Sequence, residues 1–184
     1  WQGIAVHNGD PMTDFDYDNG LSGITSGYPS GTVDRGTDID PSNFKQDFLQ
    51  RITQTPNALI TNGAKTTGNL LEVNLTVDFQ NTVSGQYKLA CVLVEDSVTG
   101  TATGYWQSNA YSGGGAGPLI DVDGTDWANK PSNVPATQMI YRHVARAIAP
   151  TFSGTNLSST SYTTGDTEKR CFQFNLDPSW DMSK

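Results

Sequence analysis

Leu71-Glu72-Val73-Asn74-Leu75-Thr76-Val77-Asp78-Phe79 is the stretch whose reading decides the fold class. Apolar side chains fill every odd position and polar ones every even position. Successive side chains of a strand point to opposite faces, so this segment has one dry face and one wet face. Antiparallel sheets that cover a core from one side are written this way. Outward from it, residues 58–60, 70–79 and 86–95 read as strands, the last two joined by the turn-rich Asn81-Thr82-Val83-Ser84-Gly85. Residues 87–94 are apolar on both faces, the pattern of a central strand. A Gly/Ser/Asn/Pro-rich connection then runs from 97 to 138 and contains Ser112-Gly113-Gly114-Gly115. A loop of that length inside a compact domain is usually functional or an elaboration. Residues 139–149, a stretch near Tyr162 and residues 170–176 bring the total to about seven strands, enough for an antiparallel β-sandwich.

Before residue 56 the grammar changes. Residues 3–7 read as a short buried strand, 8–27 as a polar loop, Tyr28-Pro29-Ser30-Gly31 as a turn and 32–35 as a second strand. A helix follows: Asp40 caps it, Pro41 suits its first turn, and Phe44, Phe48, Leu49 and Ile52 form an apolar stripe at helical spacing. Thr55-Pro56 ends it. Strand, turn, strand and helix make half a domain, with apolar faces in need of partners. The expected division is therefore 1–55 and 56–184.

The 184 residues suit one domain, or a domain plus part of another. Charged residues make up 16% and hydrophobic ones 35%, with Gly, Ser, Thr, Asn and Asp abundant, which favours a loop-rich β protein over a helical bundle. A net charge of −8 argues against a nucleic-acid partner, whose phosphates are bound by clustered Lys and Arg. No apolar run approaches the ~20 residues needed to span a bilayer as a helix. No signal-peptide pattern is present, and the opening on Trp1 reads as processing or truncation. Cys91 and Cys171 lie far apart, without CxxC or metal-ligand spacing. They pair in an oxidising compartment, or Cys91 is simply a small buried hydrophobe. Cys171 is out of phase with Phe172, Phe174 and Leu176, which weighs against pairing.

Several strings, in their order and spacing, resemble one family. They are Ala5-Val6-His7-Asn8-Gly9-Asp10-Pro11, Gly27-Tyr28-Pro29-Ser30-Gly31, Val94-Glu95-Asp96, Asn109-Ala110-Tyr111-Ser112-Gly113-Gly114, Val134-Pro135-Ala136 and Tyr141-Arg142-His143-Val144-Ala145-Arg146. The chain resembles the twenty-eight-kilodalton outer membrane protein family of Gram-negative bacteria. The resemblance implies a thioredoxin-like part followed by a β-sandwich, in an exported, lipoprotein-like protein of the outer membrane, cell surface or periplasm. It also implies a redox CxxC ahead of the strand at Gly3, which this chain lacks, and a cis peptide bond at Tyr28-Pro29. Residues 1–55 are then a partial thioredoxin-like segment, and the chain reads as a fragment cut at both ends.

The chemistry candidates are few. Asp14, Asp16 and Asp18 alternate on an expected loop, as oxygen ligands for Ca²⁺ do, although Asn19 and Thr25 stand where an EF-hand wants Gly and Glu. A solvated acidic loop is the competing reading. Asp121, Asp123 and Asp126 have the same character. Tyr105, Trp106, Tyr111 and Trp127, set among Gly, Ser and Asn, suit a binding surface for glycan or protein, or else fold back as lids. His7 and His143 are the only histidines, too few for most zinc sites, and His143 reads as structural. Glu95 and Asp96 are adjacent on a strand, point apart, and cannot flank one glycosidic bond. The expectation is a non-enzymatic exported module for binding or assembly, its partner another surface protein or a glycan. The alternatives are a fragment of a thiol–disulfide oxidoreductase and a calcium-stabilised carbohydrate-binding module.

Overall fold

The computed structural model describes residues 2–115 and 117–184. The fold is mainly β with antiparallel sheets. Its strands are β1 (Ala58–Thr67), β2 (Leu70–Phe79), β3 (Val83–Ser84), β4 (Lys88–Leu89), β5 (Cys91–Glu95), β6 (Gln107–Ser108), β7 (Asn133–Val134), β8 (Val144–Ala149), β9 (Thr155–Asn156), β10 (Ser161–Tyr162) and β11 (Thr167–Asn175). The helices are α1 (Phe15–Leu21) and α2 (Phe44–Arg51).

The alternating stretch is β2, the middle of a sheet ordered β1-β2-β11. Leu71, Val73, Leu75, Val77 and Phe79 are buried on one face, and β11 brings Phe172 opposite Val73 and Phe174 opposite Leu71. A second layer, β5 paired with β8, lies over this face. Cys91, Leu93, Ala147 and Ala149 pack against the β2–β11 core. The other face of that layer is covered too: Ala145 and Ile148 cluster with Tyr17, flanked by Val6, Leu21, Val92 and Phe152. A strand with core on both sides needs apolar residues at consecutive positions, which is why 87–94 lacks alternation.

The single strand expected over 86–95 is broken at Ala90. Its first part pairs with β9 and its second with β8. The interruption faces 150–154, where Gly154 (φ 71) lies so close to Leu89 that a Cβ would stand 2.9 Å from the Leu89 carbonyl oxygen. Only glycine allows that approach. The strand expected over 139–149 begins at Val144. Tyr141 makes only an isolated bridge to Val98, and His143 adopts φ 56, its amide donating to Asp96 Oδ1 at 3.1 Å. By contrast, the strand expected at 58–60 extends through Thr67.

Residues 1–55 differ from the two strands and helix expected of them. Residues 3–7 supply a single parallel bridge, Ala5 to Val144, and 32–35 form a turn with Asp34 and Arg35 at φ 53 and 51. The Tyr28–Pro29 bond is cis. Asp40 Oδ1 accepts from the Ser42 amide at 2.8 Å and caps a 3-10 turn, Pro41–Asn43, that leads into α2. The expected boundary at residue 55 is crossed by packing, since Val6, Met12, Tyr17 and Leu21 all pack against residues of the β region. Arg35 adds a tie: its Nη1 donates to the Phe152 carbonyl at 2.7 Å and its guanidinium lies over the Phe152 ring.

The long connection is folded rather than loose. Met12, Val98, Val134, Met139, Tyr141 and Val144 form a core of their own, and β6 pairs with β7. Buried Asn109 organises it: Nδ2 donates to the Trp127 carbonyl at 2.8 Å, and Oδ1 accepts from the Tyr111 amide at 3.0 Å. Cys91 and Cys171 are free thiols. Cys91 faces the core between the layers, whereas Cys171 is exposed opposite Asn74 on the outer face of β11. The strand separates them, so the pairing considered above is not made.

Glu168, 8% exposed, continues the inward face of β11 beyond Phe172. Its Oε1 accepts from the Ser158 amide and hydroxyl and from Tyr162 Oη, and its Oε2 from Arg170 Nη1. Hydrogen bonds from Ser158, then from Tyr162, and the Arg170 charge outweigh burial and lower its pKa to about 2. A depressed folded-state pKa contributes stability that is complete above the ordinary value of 4.5 and is lost as pH falls toward 2. Glu168→Gln is expected to cost about 1–3 kcal/mol at pH 7. Acid titrations of melting temperature should show wild type and variant converging between pH 4.5 and 2. Parallel curves would refute this account.

Candidate functional site

The site is built where β8 departs from regularity. Leu93 pairs with Ala147 and Val94 with Ala145, which leaves Arg146 as the extra residue of a β-bulge. A bulge reverses the facing of a strand and re-aims the residue it contains. Ala149 and Ala147 face the β2–β11 core, but Ala145, two residues on, faces the opposite cluster. Arg146 is thereby delivered to the same side as Glu95. Its Nε donates to Glu95 Oε2 at 2.6 Å, and each side chain is 9% exposed. Glu95 Oε1 accepts from the Asp181 amide at 2.9 Å. Asp96, next along the strand, points elsewhere, to Arg142 Nη1 at 3.3 Å.

The segment after β11 folds over this pair. Asp177 Oδ1 accepts from the Ser179 amide at 2.8 Å, and Asp181 Oδ1 accepts from the Ser183 amide at 3.0 Å. The Trp180 and Lys184 amides donate to the carbonyls of Asp177 and Asp181 at 3.0 and 3.1 Å, so each Asp-x-Ser-x unit closes a turn. Two tandem turns bring Trp180 beside the Arg146 guanidinium, 6.0 Å from ring centroid to Cζ. Between this segment, β5, β8 and residues 11–13 lies a cleft of about 430 Å³, walled mainly by polar groups with Trp180 and Tyr105 among them. Hydrogen bonds from the Ser179 amide and then its hydroxyl hold the Asp177 carboxyl below the usual range. The Ser183 hydroxyl, then its amide, do the same for Asp181. The Arg146 terminal nitrogens have no hydrogen-bond acceptor among the described residues. They are donors this cleft can offer, with Lys184 and the hydroxyls of its wall.

The sequence-predicted candidates lie elsewhere. The Asp14, Asp16 and Asp18 region is not the expected loop: Asp14 is the N-cap of α1, accepting from the Tyr17 amide, and the other two are within the helix. Residues two apart on a helix project to different sides. Asp18 is buried and accepts from Asn8 Nδ2 and Tyr28 Oη, whereas Asp16 is exposed. Asp121, Asp123 and Asp126 shape a turn around Gly124, with Asp126 accepting from the Ala128 amide and Asp123 from the Thr125 amide. Among the described residues, no three His, Cys, Asp or Glu side chains are placed to hold a metal ion. Of the aromatics, Tyr105 and Trp127 pack against the core of the long connection, Tyr111 is half-buried, and Trp106 is 45% exposed. Tyr105 alone reaches the cleft. His7 Nδ1 lies 2.6 Å from Asp10 Oδ2, and exposed His143 lies 3.7 Å from Asp96.

Sequence reasoning missed Arg146, Asp177 and Trp180. The repeated Asp-x-Ser-x of residues 177–184 was a usable signal, because Asp accepts from the amide two residues on. The bulge had none.

A family model described as outer membrane protein Omp28 matches residues 23–184. No curated protein and no solved structure matches the chain. Among the described residues, no helix is long and apolar enough to cross a membrane.

Proposed function

The chain belongs to the Omp28 outer membrane protein family, and from that premise we propose that it is a non-catalytic recognition module whose binding site is the cleft at Arg146. The observation that carries this reading is the bulge: it takes an arginine out of the β8 ladder, fixes it through Nε, and leaves its other donors to the cleft. Bulges are over-represented where a strand must aim a functional side chain. The chemistry supports binding over catalysis. Asp177 and Asp181 are held below the ordinary carboxylate range, so they are ionised at neutral pH and act as fixed acceptors, not proton donors. No histidine lines the cleft. The ligand is a component of the bacterial envelope, either carried on a surface protein or part of a glycan.

The test is co-sedimentation of purified protein with isolated outer-membrane fragments. Wild-type protein is expected in the pellet. Asp177→Asn, whose side chain is solvent-facing and whose fold should survive, is expected to shift most of it to the supernatant. Equal pelleting of the two, or none of either, would overturn the assignment.

A further inference from the structure

The composition of the cleft says what kind of ligand it takes. Its charged lining residues are Glu95, Asp177, Asp181, Arg146 and Lys184, three carboxylates against two cations. Glu95 already neutralises Arg146 at 2.6 Å, and Asp181 lies 3.3 Å from Lys184. No net positive charge remains to hold an anion, and the chain as a whole carries −8. A free cation is poorly matched as well, because the Arg146 guanidinium stands in the wall and two of the three carboxylates are already paired with cations. What remains is a set of fixed donors and acceptors, most of whose charges are already paired with one another.

We propose that the cleft binds a neutral, polyhydroxylated ligand, a sugar residue of an envelope glycan. This rests on the reading of the cleft as a recognition site and deepens it. The Arg146 terminal nitrogens form a planar pair of donors, and the ionised Asp177 is a planar pair of acceptors. Vicinal hydroxyls, each both donor and acceptor, satisfy the two together, which no simple anion or cation does. Trp180 and Tyr105 stand in the cleft wall as well, Trp180 beside the Arg146 guanidinium. The volume, about 430 Å³, falls within the roughly 300–1,000 Å³ of small-molecule sites. Arg146 is also pre-positioned, since Glu95 and the Trp180 ring fix its side chain before any ligand arrives. Preorganisation lowers the entropic cost of binding.

Saturation-transfer NMR on the full chain tests this, with glucose, galactose, mannose and N-acetylglucosamine as probes and sodium acetate, inorganic phosphate and glycine as competitors. At least one sugar is expected to receive saturation, undiminished by the three competitors. Arg146→Lys and Asp177→Asn are each expected to weaken it at least about tenfold. Asp177→Asn serves as the second variant, because Arg146→Lys touches a buried pair and its melting must be checked. Binding of acetate, phosphate or glycine without any sugar would overturn the sugar assignment while leaving the cleft a recognition site. Sugar binding indifferent to both variants would place the sugar elsewhere and overturn it too. Silence from every probe also overturns it. If membrane fragments are not bound either, the recognition reading falls with it.

Discussion

Replacing Phe79 by alanine is expected to cost about 3–5 kcal/mol of folding stability, the range of large-to-small changes at fully buried aromatic sites. Phe79 ends the inward row of β2 and is 1% exposed. Its ring stacks on Tyr162 at 4.0 Å between centroids and meets Tyr87 edge-on at 5.8 Å. Those partners belong to β10 and to the segment before β4, so one side chain joins the three-stranded sheet to the β3–β10 and β4–β9 ribbons. Its removal leaves a cavity whose walls are held by strand pairing and cannot collapse freely. Urea unfolding should show a lower midpoint with an unchanged slope. A loss below about 1 kcal/mol would mean that the packing of Tyr87 and Tyr162 on the three-stranded sheet does not depend on this contact.

Arg146→Ala is expected to destabilise by about 3–5 kcal/mol, because it leaves Glu95 charged, buried and without its partner. Both side chains are 9% exposed, so water does little to replace what is lost. Changing both residues to apolar ones of similar volume should recover most of that loss. The Asp181 amide would still lose its acceptor on Glu95, so the recovered protein should carry a loosened 177–184 segment. A double-mutant cycle followed by urea unfolding measures the coupling, and hydrogen exchange at the Asp181 amide reports the loosening. Simple additivity of the two single changes would show that the pair is not coupled.

What could be read in advance follows the range of the forces involved. The β2 row was legible because burial on one face imposes a period of two, whatever the rest of the chain does. The doubly apolar 87–94 run announced a central strand for the same reason, although the break at Ala90 depends on Gly154, sixty-odd residues away in the chain. The helix at Phe15–Leu21 was invisible. Its sequence, FDYDNGL, contains weak helix formers, and tertiary contact overrides propensity there. Asp14 caps it, and Gly20 lets the Phe152 ring come down on it, closer than any side-chain Cβ would permit. An Asp row that looked like ligands on a loop thereby became a cap, a solvent-facing residue and a buried acceptor. The cleft was hidden most deeply, since no local pattern marks Arg146 as the unpaired residue of a bulge. Only the mismatch between β5 and β8 creates it.

The β1–β2 hairpin has a further meaning for anyone who wishes to handle this molecule. Every β1 residue except Ala58 is exposed, Leu59 and Ile60 by 51% and 57%. Register is enforced by β2, whose inward row is anchored, so β1 is a passenger strand. The tip itself is not free: the Asn69 carbonyl accepts from the Leu176 amide at 2.7 Å, which ties it to the end of β11 just ahead of the 177–184 segment. The outer strand is therefore the place to handle this molecule: Lys65, exposed on β1, offers an amine for a label or tether whose attachment leaves the buried row of β2 untouched.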